Sequence, residues 1–257
     1  MPAFTDYALY YNLLYQAKDY REECWFVLDT LKAVLQRHPD SILDMGCGTG
    51  LHAAAFAEQG IAVTGVDISE TMLSVGRQNP PEAGNGASFP PPELIHGDMR
   101  SVRLGKTFEA AVSLFHVMSY QTTEQDLLQA METAFVHLKP GGLFLFDFWH
   151  GPGVLRELPE ARSRRMENAA LKVERHAAPE LHPHDDRVDI FYDIAVTDKA
   201  SGQTKHMREV HSMRYWFLPE LRHHAKQAGF STLSGGAWMS PLPAGLDDWY
   251  AWMLLRK

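Results

Sequence analysis

The sequence predicts an α/β protein: a doubly wound, mostly parallel seven-stranded sheet with an inserted antiparallel β cap. Three observations predict it. Short apolar runs alternate with amphipathic helical segments between residues 41 and 150, the pattern of repeated βα units. A glycine-rich turn, residues 43 to 50, joins the first run to its helix. Further on, three strand-like segments between Lys172 and Tyr215 follow one another with no helix between them, which is the mark of antiparallel pairing.

Trp25, Leu28, Leu31 and Leu35 recur at helical spacing from Cys24 to Leu35, and Pro39-Asp40 stops the run, so an amphipathic helix leads into the core. Ser41 to Asp44 is the first strand, and an alanine-rich helix from His52 to Glu58 is closed by Gly60. Ile61 to Val66 is β-branched and ends at Asp67, after which Ser69 can cap a helix through Arg77. Residues 79 to 92 hold five prolines and two glycines and read as a surface loop. Leu94 to His96, Ala110 to Phe115 and Gly142 to Phe148 are the next three strands. None shows the strict alternation of a half-exposed strand, as expected for strands covered on both faces. Leu127, Met131, Phe135 and Leu138 mark a helix that Lys139-Pro140-Gly141 ends. Lys172 to His176, Val188 to Thr197 and Thr204 to Tyr215 form the cap, with Ser201-Gly202 as a tight turn. A helix from Leu221 to Ala228 ends at Gly229, and Phe230 to Trp238 and Trp249 to Leu255 complete the main sheet.

The chain of 257 residues is 45% apolar and can bury a full core. Its formal charge of -8 works against tight binding to a phosphate backbone, so a small-molecule acceptor is expected rather than nucleic acid. No window approaches the roughly 18 apolar residues of a membrane span. Cys24 and Cys47 make no disulfide framework, and a cytoplasmic location is expected.

In a doubly wound sheet the first βα turn lets the backbone approach a ligand at the carboxyl ends of the strands. Leu43-Asp44-Met45-Gly46-Cys47-Gly48-Thr49-Gly50 stands at that turn. Glycines 46, 48 and 50 permit positive φ and remove the Cβ atoms that would block the approach. Asp67, at the end of the second strand, is placed to accept hydrogen bonds from ribose hydroxyls. The glycine spacing is Gly-x-Gly-x-Gly, not the Gly-x-Gly-x-x-Gly of a dinucleotide site.

Asp44 to Gly50 resembles motif I of the class I S-adenosylmethionine (SAM)-dependent methyltransferases, and the spacing to Asp67 matches. Gly97-Asp98-Met99 resembles their third motif, in which the aspartate pairs with the adenine amino group. Leu138-Lys139-Pro140-Gly141-Gly142 is similar to their turn before the fifth strand. The resemblance implies a methyltransferase fold with SAM as cofactor, held by Asp44, Gly46, Cys47, Gly48, Thr49, Gly50, Asp67, Ile68, Met72, Asp98, Met99 and the backbone at Phe115.

The tyrosine-rich segment from Tyr11 to Tyr20, with His96-Gly97-Asp98-Met99-Arg100, resembles N,N-dimethyltransferases of nucleotide-linked amino sugars. In those enzymes the amino-terminal segment folds over the cofactor as a lid, which implies cofactor contacts from Tyr11 and Tyr20 and acceptor contacts from Tyr15. They tend to carry a histidine at the position of Tyr120, whereas this chain has His116. Phe148 to Pro152 and Glu209, His211 and Arg214 resemble a broader group of small-molecule methyltransferases, implying acceptor contacts from Tyr120, Trp149, His211 and Arg214. Amine and hydroxyl acceptors both stay open. A hydroxyl needs a general base, and His116 and His150, at the carboxyl ends of neighbouring strands, are the candidates.

Asn79-Pro80-Pro81-Glu82 superficially resembles the Asn-Pro-Pro-aromatic signature of other methyltransferases, yet it lies outside the fourth strand end and is read as loop. His182, His184, Asp185 and Asp186 read as a solvated turn around Pro183, and no metal is expected. Four segments are expected: a lid and leading helix (1–40), the SAM-binding core (41–150), the cap for the acceptor (151–216), and a last helix with two core strands (217–257). The expected partners are a small-molecule acceptor and a second copy in a homodimer, with no membrane. Two other classes compete. A non-catalytic SAM-binding subunit would lack acceptor turnover, and an RNA-modifying methyltransferase would need a basic face larger than Arg162 to Arg165.

Overall fold

The computed structural model describes residues 8–78 and 90–257. Most of the loop expected at 79–92, including Asn79-Pro80-Pro81-Glu82, lies outside the described residues. Among the described residues, eleven strands form a seven-stranded sheet and a four-stranded sheet. The first runs in the order β3 (Glu93–His96), β2 (Ala62–Asp67), β1 (Ser41–Met45), β4 (Phe108–Ser113), β5 (Leu138–Trp149), β11 (Tyr250–Arg256), β10 (Ser231–Ala237). Neighbours from β3 to β5 pair in parallel, whereas β11 is antiparallel to both of its neighbours. The expected doubly wound sheet is present.

Alternation along the strands sorts the core into two layers. Leu143 and Leu145 of β5 pack with α2 (Tyr20–Leu35) and α3 (Leu51–Ala57). Phe144 and Phe146 pack on the opposite face with α5 (Glu124–His137) and α7 (Leu218–Gln227). All four of these side chains are fully buried, each contributing about 1.5–3 kcal/mol of transfer free energy. Helix α2 starts earlier than its apolar period suggests, because Asp19 caps it by accepting from the Glu22 amide at 2.9 Å. Helix α4 (Glu70–Gln78) follows β2. Cys24 and Cys47 are both free and buried.

After β5 and the short helix α6 (Gly151–Arg156), the chain builds the antiparallel sheet β6 (Arg162–Glu167), β7 (Leu171–His182), β8 (Arg187–Asp198), β9 (Thr204–Arg214). Strand β6 was not expected. Its sequence, Arg-Ser-Arg-Arg-Met-Glu, has no apolar alternation because it is an exposed edge strand held by its pairing with β7. The amino-terminal helix α1 (Ala8–Leu14) packs on this cap. Leu14, 3% exposed, joins a cluster with Val173, Ile194, Val196 and Met207. No helix among the described residues is long and apolar enough to cross a membrane.

Candidate functional site

The chain steps outward from β1 to β3 and then returns to β4, so the sheet order reverses between β1 and β4. Ligands of doubly wound sheets bind at such a switch point. A cavity of about 1040 Å³ opens there. Its floor is the loop after β1 and the residues after β2, β3 and β4, its roof includes cap residues from β6 to β9, and Tyr11, Tyr15 and Tyr20 close one side.

Gly46, Gly48 and Gly50 all have positive φ, at 81°, 57° and 76°. The Gly46 and Cys47 amides donate to the Val66 carbonyl at 2.7 and 3.1 Å, tying the loop to the end of β2. Asp67 Oδ2 accepts from the Gly48 amide at 2.7 Å and Oδ1 from the Ser69 amide at 2.8 Å. Burial pushes the Asp67 carboxyl up, while these amides favour its charged form. Beside it Ile68 is 62% exposed yet lines the cavity, an apolar group open to a ligand. The Thr49 hydroxyl donates to Asn12 Oδ1 at 2.8 Å, linking the loop to α1.

Asp44 stands behind the loop and is not part of the wall. It is 2% exposed, and its Oδ2 has no hydrogen-bond partner. Burial, and then the nearby Asp67 charge, push its carboxyl up to about 7. Gly50 is likewise behind the wall, as the cap residue of α3. Asp98 lines the cavity with its carboxylate gripped by the Arg100 guanidinium at 2.6 to 3.1 Å, and Arg100 also donates to Asp126 at 2.6 Å. Met72 and Met99, both nearly buried, line it as well.

At the end of β4, Phe115 and His116 are consecutive non-glycine residues at φ 66° and 62°, a left-handed pair that must be held by its surroundings. Asp147, fully buried on β5, holds it. Its carboxylate accepts from the His116 amide at 3.0 and 3.1 Å, and His116 Nδ1 lies 2.6 Å from Oδ2. The His116 ring lines the cavity and stacks on Tyr250 at 4.3 Å. Tyr120 and Trp149 line it too. From the cap, His211 reaches the cavity together with Arg162, Arg164, Arg175 and Tyr192, while Glu157 and Glu160 add acidic groups.

Beyond Asp44 and Gly50, two more expectations are corrected. His150 does not line the cavity: it is 3% exposed and its Nδ1 bonds the Asp248 carbonyl at 3.0 Å, because it turns under the loop before β11. Arg214 does not either. Strand alternation that turns His211 and Met213 inward turns it away, and it pairs with Glu220 at 2.6 Å and lies over the Trp216 ring at 4.1 Å. Arg162, Arg164, Arg175 and Tyr192 were not expected in the site. The alternation of the cap hairpin carried the signal for Arg175 and Tyr192. Away from the cavity, His182 pairs with Asp189 at 3.0 Å, and Glu124, Glu220 and His224 bring ligand atoms within 4.8 Å of one another.

A methyltransferase domain family matches residues 42–142. The chain is 30% identical over 236 residues to the dTDP-3-amino-3,4,6-trideoxy-α-D-glucopyranose N,N-dimethyltransferase of Streptomyces venezuelae, covering 90% of each protein. It is 28% identical over 226 residues to the dTDP-3-amino-3,6-dideoxy-α-D-glucopyranose N,N-dimethyltransferase of Streptomyces fradiae, covering 86% of this chain and 82% of that one. The crystal structure of Streptomyces venezuelae DesVI is similar at a TM-score of 0.78 and 25% identity over 98% of both chains. A SAM-dependent methyltransferase from Clostridium acetobutylicum shares the fold at a TM-score of 0.79 and 20% identity over 96% of both chains. With a glycine loop and strand-end aspartate at the switch point of the sheet, and a relative matched along nine-tenths of its length, the chain belongs to the SAM-dependent methyltransferases.

Proposed function

We propose that the protein methylates the amino group of a nucleotide-linked amino sugar. The observation that carries this reading is the cap wall, where Arg162, Arg164 and Arg175 line the same cavity as the glycine loop. Arg175 is 7% exposed, donates to the Tyr15 hydroxyl at 3.1 Å and lies 4.7 Å over the Tyr192 ring. Three guanidinium groups there suit the oxygens of a diphosphate. The two Streptomyces relatives, whose names specify dTDP-linked amino sugars, match this chain through the cap. Residues 151–216 are accordingly proposed as the acceptor-binding cap, with Tyr15, Tyr120, Trp149 and His211 as further acceptor contacts.

The residues present fit SAM. The glycines leave backbone room, Asp67 offers a carboxylate to the ribose, Asp98 to the adenine amine, and Ile68, Met72 and Met99 give the adenine an apolar seat. From behind the loop, the buried Asp44 carboxylate favours the cationic methionine end through its charge, without reaching the cavity wall. Tyr11 and Tyr20 close the lid and Phe115 borders the methionine moiety. SAM supplies an electrophilic methyl group, so the protein's task is to hold the acceptor about 3 Å from it, in line. An amine needs no base in the attack itself. For a hydroxyl, His116 held by Asp147 would take the proton.

Purified protein incubated with SAM and dTDP-linked amino sugars tests the reading by mass spectrometry. Methylated nucleotide sugar, with the free amino sugar unchanged, is the expected result. Turnover of hydroxyl acceptors alone would overturn it.

A further inference from the structure

Strand β4 ends at Ser113, yet Leu114, Phe115, His116 and Val117 all line the cavity. A chain that stayed extended could not do this, because successive side chains of a strand point to opposite faces. The left-handed pair, Phe115 at φ 66° and His116 at φ 62°, makes it possible. Left to itself, a non-glycine pair in that conformation is a minor population.

The turn bears on several parts of the cofactor site at once. The Phe115 ring meets Tyr15 edge-on at 5.1 Å and Tyr11 at 6.5 Å, and the Lys18 ammonium lies over it at 4.3 Å, so the amino-terminal segment rests on this ring. The His116 ring stacks on Tyr250 of β11. Val117 fills the space that a Cβ at position 46 would need, so the absence of a side chain at Gly46 lets the cofactor loop sit against the turn.

Asp147 holds this turn from behind. It is fully buried and does not line the cavity. Its carboxylate accepts from the His116 amide at 3.0 and 3.1 Å, a bond to the main chain that fixes the backbone whatever side chain stands at 116. A carboxylate only accepts, so the neutral His116 ring, with Nδ1 2.6 Å from Oδ2, donates to it from Nδ1.

We propose that Asp147 is a positioning residue for the cofactor: it keeps the Phe115–His116 turn left-handed, and the turn seats the amino-terminal lid and the glycine loop around SAM. The role is the same for an amine and for a hydroxyl acceptor. When only a fraction of the free protein has the turn formed, apparent affinity falls by that fraction. Loss of Asp147 is therefore felt as weaker SAM binding, although the residue is not part of the cavity wall.

Calorimetry of SAM binding to the cofactor-free parent, Asp147→Leu and Asp147→Asn tests the proposal, with thermal melts to establish folding. Asp147→Leu removes every acceptor and should bind SAM more weakly by on the order of 10- to 10²-fold. Asp147→Asn keeps an oxygen for the His116 amide and should lose several-fold less. Glycine adopts positive φ without a side-chain penalty, so Asp147→Leu made on His116→Gly should cost several-fold less than it does in the parent. Hydrogen exchange at the His116 amide, followed without cofactor, should be slow in the parent and faster in Asp147→Leu. At saturating SAM the folded Asp147→Leu should keep most of its kcat, whereas a merely structural defect would lower the active fraction and leave the affinity of the folded fraction unchanged. SAM affinity of Asp147→Leu within threefold of the parent, or an equal loss in the glycine background, overturns the proposal. If Asp147→Leu does not fold, Asp147→Asn decides: exchange and affinity should move together, and an affinity loss with the His116 amide still protected overturns it.

Discussion

Asp44→Asn probes the buried carboxylate behind the glycine loop. The folded chain holds Asp44 at about 7, against an ordinary value of 3.8. Below pH 4 both folded and unfolded chains carry the proton and the group is neutral to stability. Between about 4 and 7 the unfolded chain releases the proton while the folded chain keeps it, so stability falls by about 1.4 kcal/mol per pH unit. Above 7 both are ionised, and the accumulated cost levels off at about 4 kcal/mol, the gap of about three pH units taken at that rate. The asparagine removes the charge but brings an amide into a site with an unpartnered oxygen, which returns about 1–3 kcal/mol. At pH 8 without SAM, Asp44→Asn should therefore be more stable than the parent by about 1–3 kcal/mol, a rise of about 2–4 °C in Tm for each kcal/mol. Thermal melts at pH 4 and pH 8 measure it, and the gain should shrink toward the acid end. Adding SAM at pH 8 should reverse the order, because the cationic cofactor compensates the carboxylate and not the amide. A variant less stable than the parent at pH 8 without SAM, or a difference that does not change with pH, would refute the reasoning.

His116→Ala should lower kcat by less than tenfold on an amine acceptor, whereas on a hydroxyl acceptor the loss should be on the order of 10²- to 10⁴-fold with SAM affinity nearly intact; steady-state kinetics with matched acceptors decide it. Gly76→Ala places a Cβ 2.4 Å from the Thr49 carbonyl oxygen, so α4 and the cofactor loop must part. It should cost about 1–3 kcal/mol of stability and weaken SAM binding measured by calorimetry, while Gly141→Ala, at φ +77° with open space around it, should leave SAM binding unchanged.

The βα half of the fold was readable because its signals are local. β-Branched runs, the spacing of glycines 46, 48 and 50, and the breaks at Gly60 and Gly229 each act within a few residues. The failures lie where a residue's role is set by parity or by pairing. Arg214 and His211 are three apart on one strand, and an odd separation puts them on opposite faces. His150 sits one residue past β5, where a chain from the carboxyl end, Asp248, claims its nitrogen. Strand β6 exists only because β7 offers it an edge, so Arg162 and Arg164 read as a surface charge cluster when they belong to the cavity wall. Tyr120, His211 and Glu209 are joined by hydrogen bonds across some ninety residues of sequence, a separation that no local pattern encodes.

Helix α1 takes its seat on the cap, with Leu14 among Val173, Ile194, Val196 and Met207, and touches the cofactor loop through the hydrogen bond from Thr49 to Asn12. Two stretches far apart in the gene thus form one mechanical piece, and neither can drift alone. A cap transplanted from a relative to change acceptor preference would arrive without a matching seat for α1, and the mismatch would surface as poor cofactor retention. Residues 8–15 and 162–214 are therefore the unit to exchange together.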